Sequence, residues 1–262
     1  MKFENTWTGN WKNAFRGLRH PMESYSRSDS LFGIDSVDFL EDRREDALIK
    51  HIDAWKDERV DPDKNKIRTF LDDNSGLDYD PRHECYDYAF LGPNDLDLAQ
   101  RMIKAGSPND KFLRQILVSV DVTAPLYLWK ELDTYKVGTV ANSTSTMHKL
   151  ASTPITLECF EIDDFDEKIA CVEVNFNFPY QIIGFLESLR LKYLETKDIR
   201  YWKELIRWLP ESWLQTRAWS ANYAVLRQIY HWRRTHKLTE WHQFCDWILT
   251  LPYAHELITF EN

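Results

Sequence analysis

Residues 209–240 read LPESWLQTRAWSANYAVLRQIYHWRRTHKLTE, and how this stretch is assigned decides the architecture of the chain. Its apolar residues recur at helical spacing, which predicts one helix over 212–234 within a run of helices at 180–196, 198–208, 212–234 and 237–250. In such a helix Asn222, Leu226, Ile229 and Arg233 fall at i, i+4, i+7 and i+11, on one face. Asn222 and Arg233 would lie about 16 Å apart along the axis, too far to grip one phosphate together. An Asn and an Arg turned towards a core need partners, since an unpaired buried charge is very costly. A phosphate is one such partner, because the guanidinium fork matches it bidentately. An internal carboxylate is the other, and the stretch alone leaves both open.

Working upstream, the pattern changes character. Residues 116–122 alternate and are β-branched, which predicts a strand, and residues 168–176 (KIACVEVNF) predict another. Pro125 starts a helix that runs through Trp129 to Asp133. Asn94 is placed as the cap of a helix with Leu98, Met102 and Ile103 on its apolar face and Gly106 at its end. Ser107 and Pro108 open a further short helix. Residues 36–57 predict an amphipathic helix, 58–82 a polar loop, and 1–33 irregular chain with a strand or short helix near 11–18. The class is α+β, with a helix-rich C-terminal half and a small antiparallel sheet. The chain is read as one domain, an N-terminal segment at 1–89 and a core at 90–258.

Composition excludes several functions. The chain has 262 residues, 43% apolar and 29% charged, with 11 Trp, 12 Tyr and 14 Phe that must be buried somewhere, so it folds. Only 8 Gly occur, and the closest pair, Gly9 and Gly17, is too far apart for a Rossmann or Walker phosphate loop. Net charge is −9, which does not resemble a nucleic-acid binder; the basic excess is confined to residues 188–240 and fits a small anionic ligand. The cysteines Cys85, Cys159, Cys171 and Cys245 form no CxxC pair, which predicts a reducing compartment. The N-terminus lacks an apolar signal region and no apolar run approaches the ~20 residues of a membrane span, so a soluble cytoplasmic protein without a membrane partner is expected.

Three kinds of catalytic or metal chemistry find little support. The pairs His242–Cys245 and His83–Cys85 are too far apart in sequence for a convincing zinc site, and Cys245 belongs to an apolar face with Trp241 and Ile248. No metal is expected. No G-x-S-x-G elbow is present, and Asp163-Asp164 reads as solvated loop. The run TVANSTSTMH at 139–148 is richer in hydroxyl, amide and imidazole groups. It forms either an anion site at a helix start or a turn capped by its own Ser and Thr.

The pattern Leu209-Pro210, Thr216-Arg217, Trp219, Asn222, Arg233 and Glu240 resembles flavin-dependent thymidylate synthases. In that family a Leu-Pro pair leads in twelve residues to an Asn, and in eleven more to an Arg, and both spacings recur here. Residues 107–148 resemble the family's block of strand and signature motif, so the likeness covers roughly 90–258. The chain also resembles phage and prophage proteins grouped with that superfamily. The resemblance implies a nucleotide and phosphate site of Ser145, Thr146, His148, Arg217, Asn222 and Arg233, shared within a homotetramer. It puts Lys136-Val137-Gly138 where the family has Arg-His-Arg, and Gln228 where it has a His. Lys136 and Gln228 would thus be remnants of a flavin site, and no cofactor is expected. The implied function is a nucleotide-binding protein on a thymidylate-synthase-like fold. One alternative is an active enzyme methylating dUMP with FAD, reduced nicotinamide and methylenetetrahydrofolate. Another is a phage protein that sequesters a nucleotide-derived signal.

Overall fold

The computed structural model describes residues 1–32, 89–163, 166, 168 and 177–261. The helix expected at 36–57, the loop at 58–82, the strand at 168–176 apart from Lys168, and His83, Cys85, Asp164 and Cys171 lie outside the described residues. Strand β1 (Lys2–Gly9) leads into helix α1 (Trp11–Arg19), and β2 (Leu31–Phe32) pairs with β3 (Ala89–Phe90). Helix α2 (Pro93–Ala105) and a 3-10 segment at Asn109–Arg114 come next, then β4 (Leu117–Pro125) and α3 (Leu126–Leu132). β5 (Val140–Ser143) and the one-turn α4 (Thr146–Lys149) precede α5 (Phe178–Thr196) and α6 (Ile199–Arg207). Then follow β6 (Leu214–Asn222), α7 (Tyr223–Arg233), α8 (Thr239–Leu249) and a π-type turn at Ala254–Ile258. The α+β class and the helix-rich C-terminal half are borne out.

Residues fall into two compact units, Met1–Trp7 with Val118–Leu251, and Thr8–Leu117 with Pro252–Asn262. In the first unit a four-stranded antiparallel sheet has the order β1-β4-β6-β5. One face is apolar because β4 alternates: Val118, Val120, Val122 and Ala124 are buried. That alternation is the period read from the sequence. Between the intervening residues run polar cross-strand contacts, Thr123 to Thr216 at 2.7 Å and Ser119 to Ser220 at 3.3 Å. Aromatic rings fill the core: Trp219 meets Phe244 edge-on, and Phe3 stacks on Trp247 with centroids 5.0 Å apart. A second cluster joins α5 to α6 through Leu186 and Leu205, with Leu150, Ile155 and Phe160. Beside it the Arg190 guanidinium holds the Glu187 carboxyl below the usual carboxylate range.

The helix predicted over 212–234 is corrected. Residues 214–222 form β6, antiparallel to β5 in a register from Val140 opposite Ser220 to Ser143 opposite Arg217. The cause lies at Asn222, whose Oδ1 accepts the Val225 N–H at 3.1 Å and so caps α7. A cap residue has extended backbone, so the chain before it is free to pair as a strand. Asn222 therefore shares no helix face with Leu226, Ile229 and Arg233. Burial pushes the Cys245 thiol up to about 11, consistent with its place beside Trp241 and Ile248 in the core.

The second unit packs α1 and α2 each against the 3-10 segment, burying Trp11, Phe15, Ala99, Phe112 and Leu113. Two expectations are corrected by this end of the chain. Residues 1–32 are not otherwise irregular: they also supply β1, while α1 is the short helix expected near 11–18, with a strongly one-sided apolar face (Trp11, Ala14, Phe15, Leu18). Nor does Asn94 cap α2. The cap residue is Gly92, and the Asp29 carboxylate accepts the N–H groups of Asn94 at 2.9 Å and Asp95 at 3.1 Å. A carboxylate from 65 residues away in sequence has taken the role a local side chain usually fills. Among the described residues no helix is long and apolar enough to cross a membrane.

Candidate functional site

A cleft of about 260 Å³ opens in the first unit, between the segment that follows α3 and the outer side of α7. Thr134, Tyr135, Lys136 and Val137 form one wall. Val225, Gln228, Trp232 and Arg233 form the other, because positions i, i+3, i+7 and i+8 of a helix share a side. Lys136 is exposed and has no ion pair among the described residues. Trp232 is 65% exposed, an indole face left open at the rim.

Arg233 is not free. Its Nε donates to the Tyr135 hydroxyl at 2.9 Å, and its Nη1 lies 3.2 Å from Glu131 Oε2. The guanidinium sits 4.7 Å from the Trp241 ring centroid, and Trp241 donates its own N–H to the same Glu131 oxygen at 2.9 Å. Glu131 thus holds a ring and a cation at once. Arg217 is anchored in the same manner one strand away. Its Nη1 reaches both Asp133 oxygens at 3.0 and 3.2 Å, its Nε donates to Gln215, and it lies 4.3 Å from the Trp129 centroid. The internal carboxylate left open in the sequence reading therefore exists for both arginines, as Glu131 and Asp133.

Of the residues singled out from sequence, Lys136, Gln228 and Arg233 come together on the cleft. Asn222 lies behind it, only 7% exposed, with Nδ2 donating to the Gly138 carbonyl at 3.4 Å. It ties the Lys136 segment to the start of α7. Ser145, Thr146, His148 and Arg217 do not line the cleft. Ser145 caps the one-turn α4, accepting the His148 N–H at 3.1 Å, so the polar run at 139–148 builds a strand and a self-capped turn. Sequence reasoning passed over Glu131, Tyr135, Trp232 and Trp241. An acidic residue every second position after Lys130 was a legible signal for Glu131 and Asp133; the ring contacts had none. Among the described residues no three His, Cys, Asp or Glu are grouped to hold a metal.

Gly138 shows how tightly this corner is built. Its φ is +80°, and a Cβ there would come within 2.6 Å of Asn222 Nδ2. Gly138→Ala should lower stability by about 1–2 kcal/mol from the backbone alone, with the clash added. The same change in an Asn222→Ala background should cost measurably less, as thermal melts of the four variants would show.

The fold and site together define an α+β protein with a one-lysine, one-indole cleft on the helix after a capping Asn. No protein-family model matches the chain, and no curated protein does. Solved structures similar to it include Helicobacter pylori flavin-dependent thymidylate synthase ThyX complexed with FAD and dUMP, at 16% identity over 73% of this chain and 90% of that one, with a TM-score of 0.47. A second structure of the H. pylori enzyme with FAD and dUMP is similar at 18% identity over 74% and 89%, with a TM-score of 0.48.

Proposed function

We propose that the chain is a nucleotide-binding protein whose site is the cleft between residues 134–137 and α7. The observation that carries this reading is the convergence there of an uncompensated cation, an open indole and a side-chain amide, Lys136, Trp232 and Gln228. A nucleotide needs a charge for its phosphate, a flat apolar face for its base and a donor–acceptor pair for the base edge. Lys136, Trp232 and Gln228 supply these in turn. Asn222 acts as a positioning residue, holding the backbone that carries Lys136. Calorimetric titration with a panel of nucleotides tests the site. Trp232→Ala and Lys136→Ala should each weaken binding about tenfold, the scale of one stacking or phosphate contact. A panel that gives no heat, or a Trp232→Ala protein that binds as well as the wild type, would overturn the reading.

This reading ranks binding above flavin chemistry. Lys136, Val137 and Gly138 offer one charged donor where the resemblance implies three, Val137 is exposed, and the Gly138 carbonyl already accepts from Asn222. These residues do not fit a tightly held isoalloxazine ring. The purified protein should accordingly show little absorbance at the flavin bands, and a stoichiometric flavin spectrum would restore the dUMP-methylating enzyme.

We also read the protein as a homo-oligomer, a tetramer by the resemblance. Phe178, Tyr180, Phe185, Leu191 and Ile199 stand exposed on two sides of α5 and at the start of α6, apolar surface that a second copy of the chain would cover. Light scattering should give a multiple of the 31.3 kDa chain; a single-chain mass at micromolar concentration would refute this.

A further inference from the structure

We infer that the edge strand β5 pairs antiparallel with the same strand of a second copy of the chain, joining the two sheets across a twofold axis. This rests on the homo-oligomer reading and names one of its contacts, separate from the α5 surface. The four-stranded sheet has two edges, β1 and β5, and they differ. An open edge offers unpaired backbone groups to any strand, and folded proteins usually guard it with charge or a kink. β1 is guarded: Lys2 pairs with Glu4 at 2.8 Å, and Asn5 breaks the extended line with a φ of +52°. β5 is not. Val140-Ala141-Asn142-Ser143 carries no charge, no proline and no left-handed residue, and all four side chains stand exposed.

The ladder fixes which backbone groups point outward. The Thr144 N–H donates to the Thr216 carbonyl at 2.9 Å. Along an antiparallel strand, alternate residues turn both backbone groups towards the same neighbour. Val140, Asn142 and Thr144 therefore face β6, while Ala141 and Ser143 turn theirs to the open edge. Those N–H and carbonyl groups have no partner among the described residues. A second β5 satisfies all of them if Asn142 lies opposite its own counterpart. Ala141 of each copy then exchanges both hydrogen bonds with Ser143 of the other. Asn142 sits on the twofold at a non-hydrogen-bonded position, where side chains approach most closely and two amides can bond to each other. Val140 meets the other copy's Thr144, a β-branched pair. A foreign peptide fits less well. Strand addition draws its selectivity from pockets beside the edge, and the side chains of β5, all exposed, wall none. An uncharged edge also lets two chains of net charge −9 meet without a like-charge contact.

Light scattering on the full chain at micromolar concentration tests this, with Asn142→Lys, Asn142→Glu and Asn142→Gln compared with the wild type. Because position 142 meets itself, either charged variant places two like charges side by side. Each should weaken association about tenfold or more and lower the mass. An equimolar mixture of Asn142→Lys and Asn142→Glu should regain the wild-type mass, since each copy now faces the opposite charge. That recovery also shows both variants to be folded. Asn142→Gln should keep the wild-type mass. Ala141→Pro removes an outward N–H alone, a change that an edge strand tolerates, and should weaken association in the same direction. If the charged variants keep the wild-type mass, the strand does not meet its own copy and the inference falls. If they dissociate and their mixture does not reassemble, the twofold register is wrong and the inference falls as well. A wild-type protein of single-chain mass removes the homo-oligomer reading and this contact with it.

Discussion

Asp95→Ala should lower the stability of the second unit by about 3–5 kcal/mol, the cost of leaving a buried charge without its partner. Asp95 is fully buried and Arg19 is 4% exposed. One carboxylate oxygen accepts Arg19 Nε at 2.5 Å, and the other accepts the Ser28 and Ser30 hydroxyls and the Ser30 N–H. Arg19 has little else to turn to: its Nη1 reaches the Ser24 carbonyl at 3.3 Å and its Nη2 has no partner among the described residues. Removing the carboxylate therefore strands the guanidinium and frees the 28–30 turn, whose Asp29 caps α2. A drop of roughly 10 °C in the melting temperature should follow, at a few degrees per kcal/mol for a chain of this size. The double change Arg19→Met with Asp95→Leu should recover most of it, because an apolar pair of similar volume tolerates burial. Equal melting temperatures for wild type and Asp95→Ala would show that the pair contributes nothing.

Arg233→Ala comes next in size. It removes the Glu131 ion pair, the bond to Tyr135 and the cover over the Trp241 ring. The pair is only part-buried, with side chains 22% and 34% exposed, so the cost should fall below the fully buried range, at about 2–3 kcal/mol. It should also leave Glu131 uncompensated beside the cleft, and anionic nucleotides should bind about five- to tenfold more weakly. Adding Glu131→Gln separates the effects. It should restore most of the anion affinity, because the stranded charge is gone, and only part of the stability, because the ring contacts remain lost. An Arg233→Ala protein that melts with the wild type but loses all ligand binding would instead make Arg233 the direct phosphate contact.

Arg19 and Arg233 both meet partners that no local pattern announces. The β4 strand, α3 behind Pro125, and the helices at 178–196, 199–207 and 239–249 were legible because alternation and helical spacing are local properties. The sequence also predicted that Arg233 needs a phosphate or a carboxylate. It could not say which. Glu131 lies about a hundred residues earlier and meets Arg233 only when α3 and α7 are both placed. The segment 212–222 was misassigned for a related reason. Its composition suits helix and strand alike, and β5 opposite it supplied the pairing that decided the matter.

The sequence by itself determined the class, the order of the long elements, the absence of a glycine phosphate loop and the need for a counter-charge at Arg233. These follow from composition and from periods of two and 3.6, which any short window carries. Only the tertiary structure decided that Asn222 caps α7 and holds Gly138, that Asp29 rather than Asn94 serves α2, and that Lys136 is left as the cleft's uncompensated cation. Each of those depends on which side chain arrives within about 3 Å of a given donor, and hydrogen bonds and ion pairs fall away steeply beyond that distance. Such meetings are settled by the packing of remote segments.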